Sequence, residues 1–233
     1  RDQPLTSPMA VNPASENPVG VFDSGVGGLS ILQALQQQLP NEAFVYLADS
    51  AHAPYGERDE EFVLQRARWV LHLLQEQHQI KALVIACNTA TALAISVLRQ
   101  ENPDLPIFGV EPAVKPAAAD SLTHKVGVLA TAATLQSGKF QELLHSLVET
   151  DTEFVLQACK GLALAIEQQT EKALQDTHHL EHLCAQLVLG MGEFGQQTGQ
   201  IDTLVLGCTH YVFVQDILQK LVGPGVNVIS TGE

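Results

Sequence analysis

The sequence predicts an α/β protein of two pseudo-symmetric lobes, each a mostly parallel sheet flanked by helices, with a site between them. Three observations predict it. Short apolar runs alternate with helical apolar stripes along the chain, as in parallel strands joined by helices. The series restarts near the middle. The two halves also match in letters: VGVFDSG at 19–25 matches VGVLATA at 126–132, and ALVIACNTATALAI at 82–95 matches TLVLGCTHYVFVQDI at 203–217.

Residues 1–18 carry four prolines and little apolar period, and read as a loose leader. Residues 19–22 form an apolar strand ending at Asp23-Ser24-Gly25. A helix follows from Leu29, with Ile31, Leu32, Leu35 and Leu39 on one stripe, and Pro40 stops it. Residues 44–48 are a strand and 49–58 a loop. Residues 62–77 are a helix, with Leu64, Ala67, Val70, Leu71 and Leu74 apolar. Residues 82–86 are a strand cut off by Cys87-Asn88-Thr89, with a helix over 90–100 and a strand over 106–110. In the second half, strands are expected at 126–130, 153–156, 203–206 and 226–229. Helices are expected at 134–147, within 161–191 as one or two, and at 212–222. The first lobe is assigned to 19–110, completed by 212–233, and the second to 111–211. An α/β unit normally adds a covering helix after its last strand, so a protein continuing past Glu233 is expected.

Charge narrows the function. Lys and Arg number 12 against 26 Asp and Glu, a net charge of -14. A surface that negative excludes general nucleic-acid affinity and a polybasic membrane contact, but not a small anion held by local N–H groups. No apolar stretch reaches the roughly eighteen residues a spanning helix needs, and the leader has no apolar signal core. The four cysteines, Cys87, Cys159, Cys184 and Cys208, form no C-x-x-C pair. A reducing, cytoplasmic setting is expected.

Two cysteines stand out. Cys87 and Cys208 each follow an apolar strand and precede small polar residues and a helix. Helix N-termini favour a thiolate, and ligands of open parallel sheets lie beyond the carboxyl ends of the strands. Two such lobes face to face would enclose one pocket, each contributing a thiol. Opposed thiols suit inversion at a carbon: a thiolate removes a proton from one face and a thiol returns one to the other. Sulfur can do this because its ordinary pKa of about 8.5 is readily moved. Cys159 and Cys184 lack that placement and read as structural, and no recognisable spacing supports zinc.

Around the pair, Asp23 and Ser24 end the first strand, Asp23 reading either as a helix N-cap or as a group that holds an ammonium or positions a thiol. Tyr55-Gly56 follows Pro54 in a loop, either as simple turn chemistry or as N–H donors to a carboxylate. Asn88-Thr89 and Thr209-His210 extend the two cysteine turns. His210 reads as a cap or as a partner of Cys208. Glu167, from spacing alone, is a solvated helix residue. The run Gly25-Val26-Gly27-Gly28 departs from a dinucleotide fingerprint at Ser30, with Asp49 as the best ribose ligand if one existed. His178 and His182 make a weak metal pair.

The blocks VFDSGVGGLS, LADSAHAPYGER, VIACNTATA and VLGCTHY, in this order, resemble the signature blocks of the glutamate racemase family, within the cofactor-independent aspartate/glutamate racemase superfamily. The resemblance runs from Val19 to Glu233. It implies L- and D-glutamate interconversion without metal or cofactor, supplying D-glutamate for bacterial peptidoglycan. It implies that Cys87 deprotonates D-glutamate and Cys208 L-glutamate, with Asp23 and His210 assisting and Glu167 supporting His210. It further implies that Asp23, Ser24, Tyr55, Gly56, Asn88, Thr89, Thr209 and His210 hold substrate, with Thr131 and Thr134 lining the pocket. A homodimer is expected; some relatives with long leaders respond to a cell-wall precursor, and some affect DNA gyrase. Val212-Phe213 and Cys159-Lys160 depart from prolines usual in the family. The rival readings are a racemase of aspartate or another amino acid, a binding or inhibitory protein on this scaffold and, more remotely, a nicotinamide oxidoreductase.

Overall fold

The structure, a computed structural model, describes residues 16–171 and 178–232. The first lobe comprises β1 (Val19–Asp23), α1 (Leu29–Gln38), β2 (Phe44–Ala48), α2 (Glu60–His78), β3 (Ala82–Ile85), α3 (Asn88–Glu101) and β4 (Ile107–Gly109). The second comprises α4 (Val114–Asp120), β5 (Lys125–Ala130), α5 (Ala132–Gln136), α6 (Gly138–His145), β6 (Glu153–Ala158), α7 (Leu162–Glu171), α8 (His178–Leu189), β7 (Thr203–Leu206), α9 (Gln215–Val222) and β8 (Asn227–Ser230). The sheets run β2-β1-β3-β4 and β6-β5-β7-β8, with every pairing parallel. The register repeats as well. Phe22 faces Ile85 across β1 and β3, and its counterpart Leu129 faces Leu206 across β5 and β7.

Local chemistry sets the elements. Asp59 caps α2 by accepting from the Phe62 N–H at 2.8 Å, with Glu60 and Glu61 in the first turn and His78 in the last. One face of α2 buries Val63, Ala67, Val70, Leu71 and Leu74 against Leu83 and Ile85 of β3. Each fully buried aliphatic side chain contributes about 1.5–3 kcal/mol. In the second lobe α7, α8 and α9 cover one face of the sheet through Ile166, Cys184 and Leu218. Helices α4 and α6 cover the other through Ala117 and Phe140.

Two expectations change, and one helix is added. Residues 212–233 do not complete the first lobe. They form a short 3-10 turn, α9 and β8, and β8 pairs with β7 in the second sheet. The reason is continuity: α9 buries Leu218 and Val222 in the second lobe's core, and a crossover helix returns the chain to a strand beside the one it left. After β8 the chain returns to the first lobe, where the Thr231 hydroxyl approaches Asn88 Oδ1 at 3.4 Å and Gly232 lies against Ile31. The helix expected over 134–147 is two, α5 and α6. Ser137 is extended (φ -65°, ψ 143°), and its hydroxyl caps α6 through the Phe140 N–H. Helix α4 has no counterpart in the sequence reading, because it is only seven residues long and carries Pro116, which hides its buried face of Val114, Ala117 and Ala118. The leader 1–18 falls almost wholly outside the described residues, as does part of the stretch expected to hold one or two helices. No described helix is long and apolar enough to cross a membrane.

Candidate active site

Both sheets reverse their winding between their two central strands, where open parallel sheets leave a crevice at the strands' carboxyl ends. In the first lobe the crevice is flanked by Asp23-Ser24 after β1 and Cys87 after β3. In the second it is flanked by Thr131 after β5 and Cys208 after β7. The lobes touch here. A Cβ on Gly56 would come within 2.3 Å of the Thr131 methyl, and one on Gly27 within 2.7 Å of the Thr209–His210 backbone. Glycine at both points lets the two site rims close on each other.

Cys87 is the N-cap of α3. Its sulfur accepts from the Ala90 N–H at 3.4 Å, and its thiol points to the Ser24 hydroxyl at 3.7 Å. Burial pushes this thiol well up, and the charge of Asp23 adds to the effect. Asp23 is fully buried and accepts from the Gly28 N–H at 2.7 Å and the Gly25 N–H at 3.4 Å. Burial raises its carboxyl above the usual range, against the pull of His210 and these amides. The Thr209 hydroxyl reaches Asp23 Oδ1 at 3.5 Å, tying the Cys208 turn to the end of β1.

Cys208 has a different neighbour. Its sulfur lies 3.8 Å from His210 Nδ1, and the opposite ring nitrogen bonds Glu167 Oε1 at 2.5 Å. Burial opposes a charged imidazole. Hydrogen bonds to Cys208 and Glu167, with the charges of Cys208 and Asp23, override it and push His210 up to about 11. Burial likewise opposes the Glu167 carboxylate, yet its bonds to His210 and the Val26 N–H hold it below its ordinary value. The bonds to Glu167 and Cys208 thus favour the charged imidazole, with Glu167 as its counter-ion.

A third group lies at the lobe boundary. The hydroxyls of Thr89, Thr131 and Thr134 form a triangle with sides of 3.0, 3.0 and 3.4 Å. Asn88 is buried, and its side-chain amide nitrogen has no hydrogen-bond partner. A groove of about 470 Å³ passes Pro54, Gly56, Thr131 and Lys160 on one side of the boundary. Cys87 and Cys208 are only 5% and 8% exposed, so the thiols lie behind the rims rather than in open solvent.

The expected residues thus fall into three connected groups: Asp23, Ser24 and Cys87; Glu167, Cys208 and His210, joined to the first by Thr209; and Thr89, Thr131 and Thr134 beside Asn88. Glu167 corrects the spacing-only reading of a solvated helix residue, because it is buried at the lobe boundary. Gly56 lies at the rim, but the Tyr55 hydroxyl turns away to Asp49 at 2.5 Å. Asp49 is no ribose ligand. It takes Arg66 Nε and Nη2, each at 2.8 Å, the Tyr55 hydroxyl and His52. Burial opposes its charge, but these bonds hold its carboxyl below the usual range. Among the described residues no three of His, Cys, Asp or Glu converge to hold a metal ion. The sequence reading missed Tyr46, whose hydroxyl donates to the Gly25 carbonyl at 2.9 Å. On a strand it reads as ordinary packing. It also missed Thr231, whose hydroxyl contacts Asn88 and the Leu206 carbonyl.

Two all-parallel lobes with a cysteine at the same strand end in each form the two-lobed α/β frame of an isomerase that works on both faces of one carbon, and the chain's relatives are racemases. The chain belongs to the Asp/Glu/hydantoin racemase family, whose sequence model matches residues 19–233. It is 48% identical over 219 residues to the glutamate racemase of Ectopseudomonas mendocina, covering 94% of this chain and 79% of that protein. The crystal structure of glutamate racemase isoform RacE1 from Bacillus anthracis superposes with a TM-score of 0.76 at 34% identity, covering 93% of this chain and 77% of that one. That of Escherichia coli glutamate racemase in complex with L-glutamate and the activator UDP-MurNAc-ala superposes with a TM-score of 0.77 at 29% identity, covering 92% and 77%.

Proposed function

We propose that the chain interconverts L- and D-glutamate by proton transfer at the α-carbon between Cys87 and Cys208. One observation carries this reading: equivalent strand ends of two lobes present one buried thiol each, on either side of one boundary. In one direction the thiolate of Cys208 takes the α-proton of L-glutamate and the thiol of Cys87 gives its proton to the opposite face. Charge and proton count balance, and the thiols exchange states. In the other direction the roles reverse. The cost of the step is the carbanion beside a carboxylate, which fixed donors must meet.

In this reading Asp23 stands beside Cys87 and His210 beside Cys208, with Glu167 keeping His210 charged and oriented. The N–H groups of Asn88 and Thr89 at the start of α3 suit a carboxylate, helped by the helix dipole. The unpartnered Asn88 amide suits the same oxygen atoms. Ser24, Gly56, Thr131, Thr134 and Thr209 line the remaining space, with Tyr55 holding the Gly56 rim. The glutamate in the Escherichia coli complex supports this substrate here. Supply of D-glutamate to peptidoglycan, a cytoplasmic location and a homodimer accompany the proposal.

The test is proton exchange in D2O with no cofactor added. L- and D-glutamate are followed separately by loss of the α-proton signal and change of optical rotation, with aspartate alongside. Deuterium entering the α-carbon together with inversion, for both glutamates, is the expected result. Exchange with aspartate alone would move the substrate to the neighbouring class. No exchange with either, from folded protein, would overturn the catalytic reading in favour of a binding role.

A further inference from the structure

We infer that Tyr46, on the second strand of the first lobe, is a positioning residue for the second-lobe thiol, acting through one peptide group. The path is continuous. The Tyr46 hydroxyl donates to the Gly25 carbonyl at 2.9 Å. The N–H of the same peptide unit, on Val26, donates to Glu167 Oε1 at 3.2 Å. The same oxygen meets His210 Nε2, and the far ring nitrogen faces Cys208. A bond accepted at a peptide oxygen polarises its N–H, so the Tyr46 hydroxyl strengthens the donor that fixes Glu167. The inference rests on the proposed partnership of His210 with Cys208.

The turn allows little alternative. A Cβ on Gly25 would lie 1.7 Å from Glu167 Oε1 and 2.9 Å from His210 Nε2, so Glu167 lies across a bare α-carbon. A Cβ on Gly28 would lie 3.0 Å from the Tyr46 oxygen and 2.6 Å from the Asp23 Cβ. The Gly25–Gly28 turn is thus pressed between Tyr46 and Asp23 on one side and Glu167 and His210 on the other. Burial, with the charges of Asp23, Cys87 and Glu167 nearby, pushes the Tyr46 phenol well up, so it remains a donor throughout the working range. Because it touches the relay rather than the reacting carbon, its loss should slow turnover without changing what binds.

The experiment is a double-mutant cycle on the full chain with glutamate, using Tyr46→Phe, Glu167→Gln and the pair. Tyr46→Phe is expected to lower kcat roughly three- to tenfold with KM little changed. The pair is expected to be no slower than Glu167→Gln alone, since both changes break one path. Losses that multiply, or a Tyr46→Phe enzyme at full rate, would overturn the inference while leaving the two-thiol reading intact. A Glu167→Gln enzyme at full rate would remove the support of His210 and the relay with it. Where Tyr46→Phe lowers the melting temperature, p-aminophenylalanine at position 46 restores a donor and p-methylphenylalanine restores only size. Rescue of kcat by the first alone is the expected result. Equal behaviour of the two would overturn the inference.

Discussion

The two cysteine turns occupy the same place in two matching lobes, yet their surroundings differ in kind. Aligning Cys87-Asn88-Thr89 with Cys208-Thr209-His210 sets Thr89 opposite His210. Aligning the first strands sets Asp23 opposite Ala130. The first-lobe thiol therefore has a hydroxyl, a backbone N–H and a buried carboxyl for neighbours, and burial drives it toward the neutral form. The second-lobe thiol has an imidazole backed by a carboxylate. Repetition of the fold supplied two strand ends at the right places, and unlike side chains at matching positions gave the two ends different charge. The proposed two-thiol mechanism needs one thiol ready to take a proton and the other ready to give one, and this asymmetry suits it.

The strongest way to break the comparison is to remove either sulfur. Cys87→Ala and Cys208→Ala are each expected to lower kcat for both directions by roughly 10²–10⁴-fold, measured by circular dichroism of the glutamate pool. Similar losses from the two would confirm that both ends are needed despite their unlike settings. Gly25→Ala comes next. Its methyl would fall on Glu167 and His210, so the second-lobe assembly should shift first. A loss of roughly tenfold or more in kcat is expected, with a lower melting temperature.

The His210–Glu167 pair sharpens the comparison through pH. The folded-state pKa of His210, about 11, lies above its ordinary 6.5. Its contribution to stability is thus fully present below pH 6.5 and is lost as pH rises through about 11. The folded-state pKa of Glu167 is depressed, so its contribution is present above its ordinary 4.5 and is lost as pH falls through the lower folded value. Urea unfolding of the parent and of His210→Asn should differ most near pH 6 and converge toward pH 11. A gap constant across that range would contradict the charged pair. The smallest effect on rate is expected at the other two cysteines. Cys159→Ser and Cys184→Ser should both keep kcat within about twofold, but Cys184→Ser should lose roughly 1–3 kcal/mol of stability because it puts a hydroxyl into an apolar core, and Cys159→Ser less, because the Gln157 carbonyl accepts at that position.

Periodicity and repetition carried much of this into view before any coordinates. The alternating runs gave both sheets, and the shared letters at 19–25 and 126–132 gave their equivalence, which the registers Phe22–Ile85 and Leu129–Leu206 repeat. The two thiols were legible for the same reason. What stayed hidden depends on distance along the chain. Glu167 looks solvated by helical spacing, and only the approach of α7 to Gly25 and His210 buries it. Arg66 meets Asp49 from a neighbouring helix, a pairing no local pattern announces. Tyr46 alternates like any strand residue, so the use of its hydroxyl lies in the fold alone. The ownership of β8 was misread because an isolated apolar strand carries no label for the sheet it joins.

The most direct test of the central claim, one thiol on each face of the α-carbon, is exchange without inversion in the single variants. A lone thiol can still take the α-proton of the enantiomer it faces and return a deuteron to the same side. In D2O, Cys208→Ala should exchange only D-glutamate with retention, and Cys87→Ala only L-glutamate, each far below the parental rate. Exchange of the same enantiomer by both variants, or continued inversion by either at the parental rate, would contradict the account.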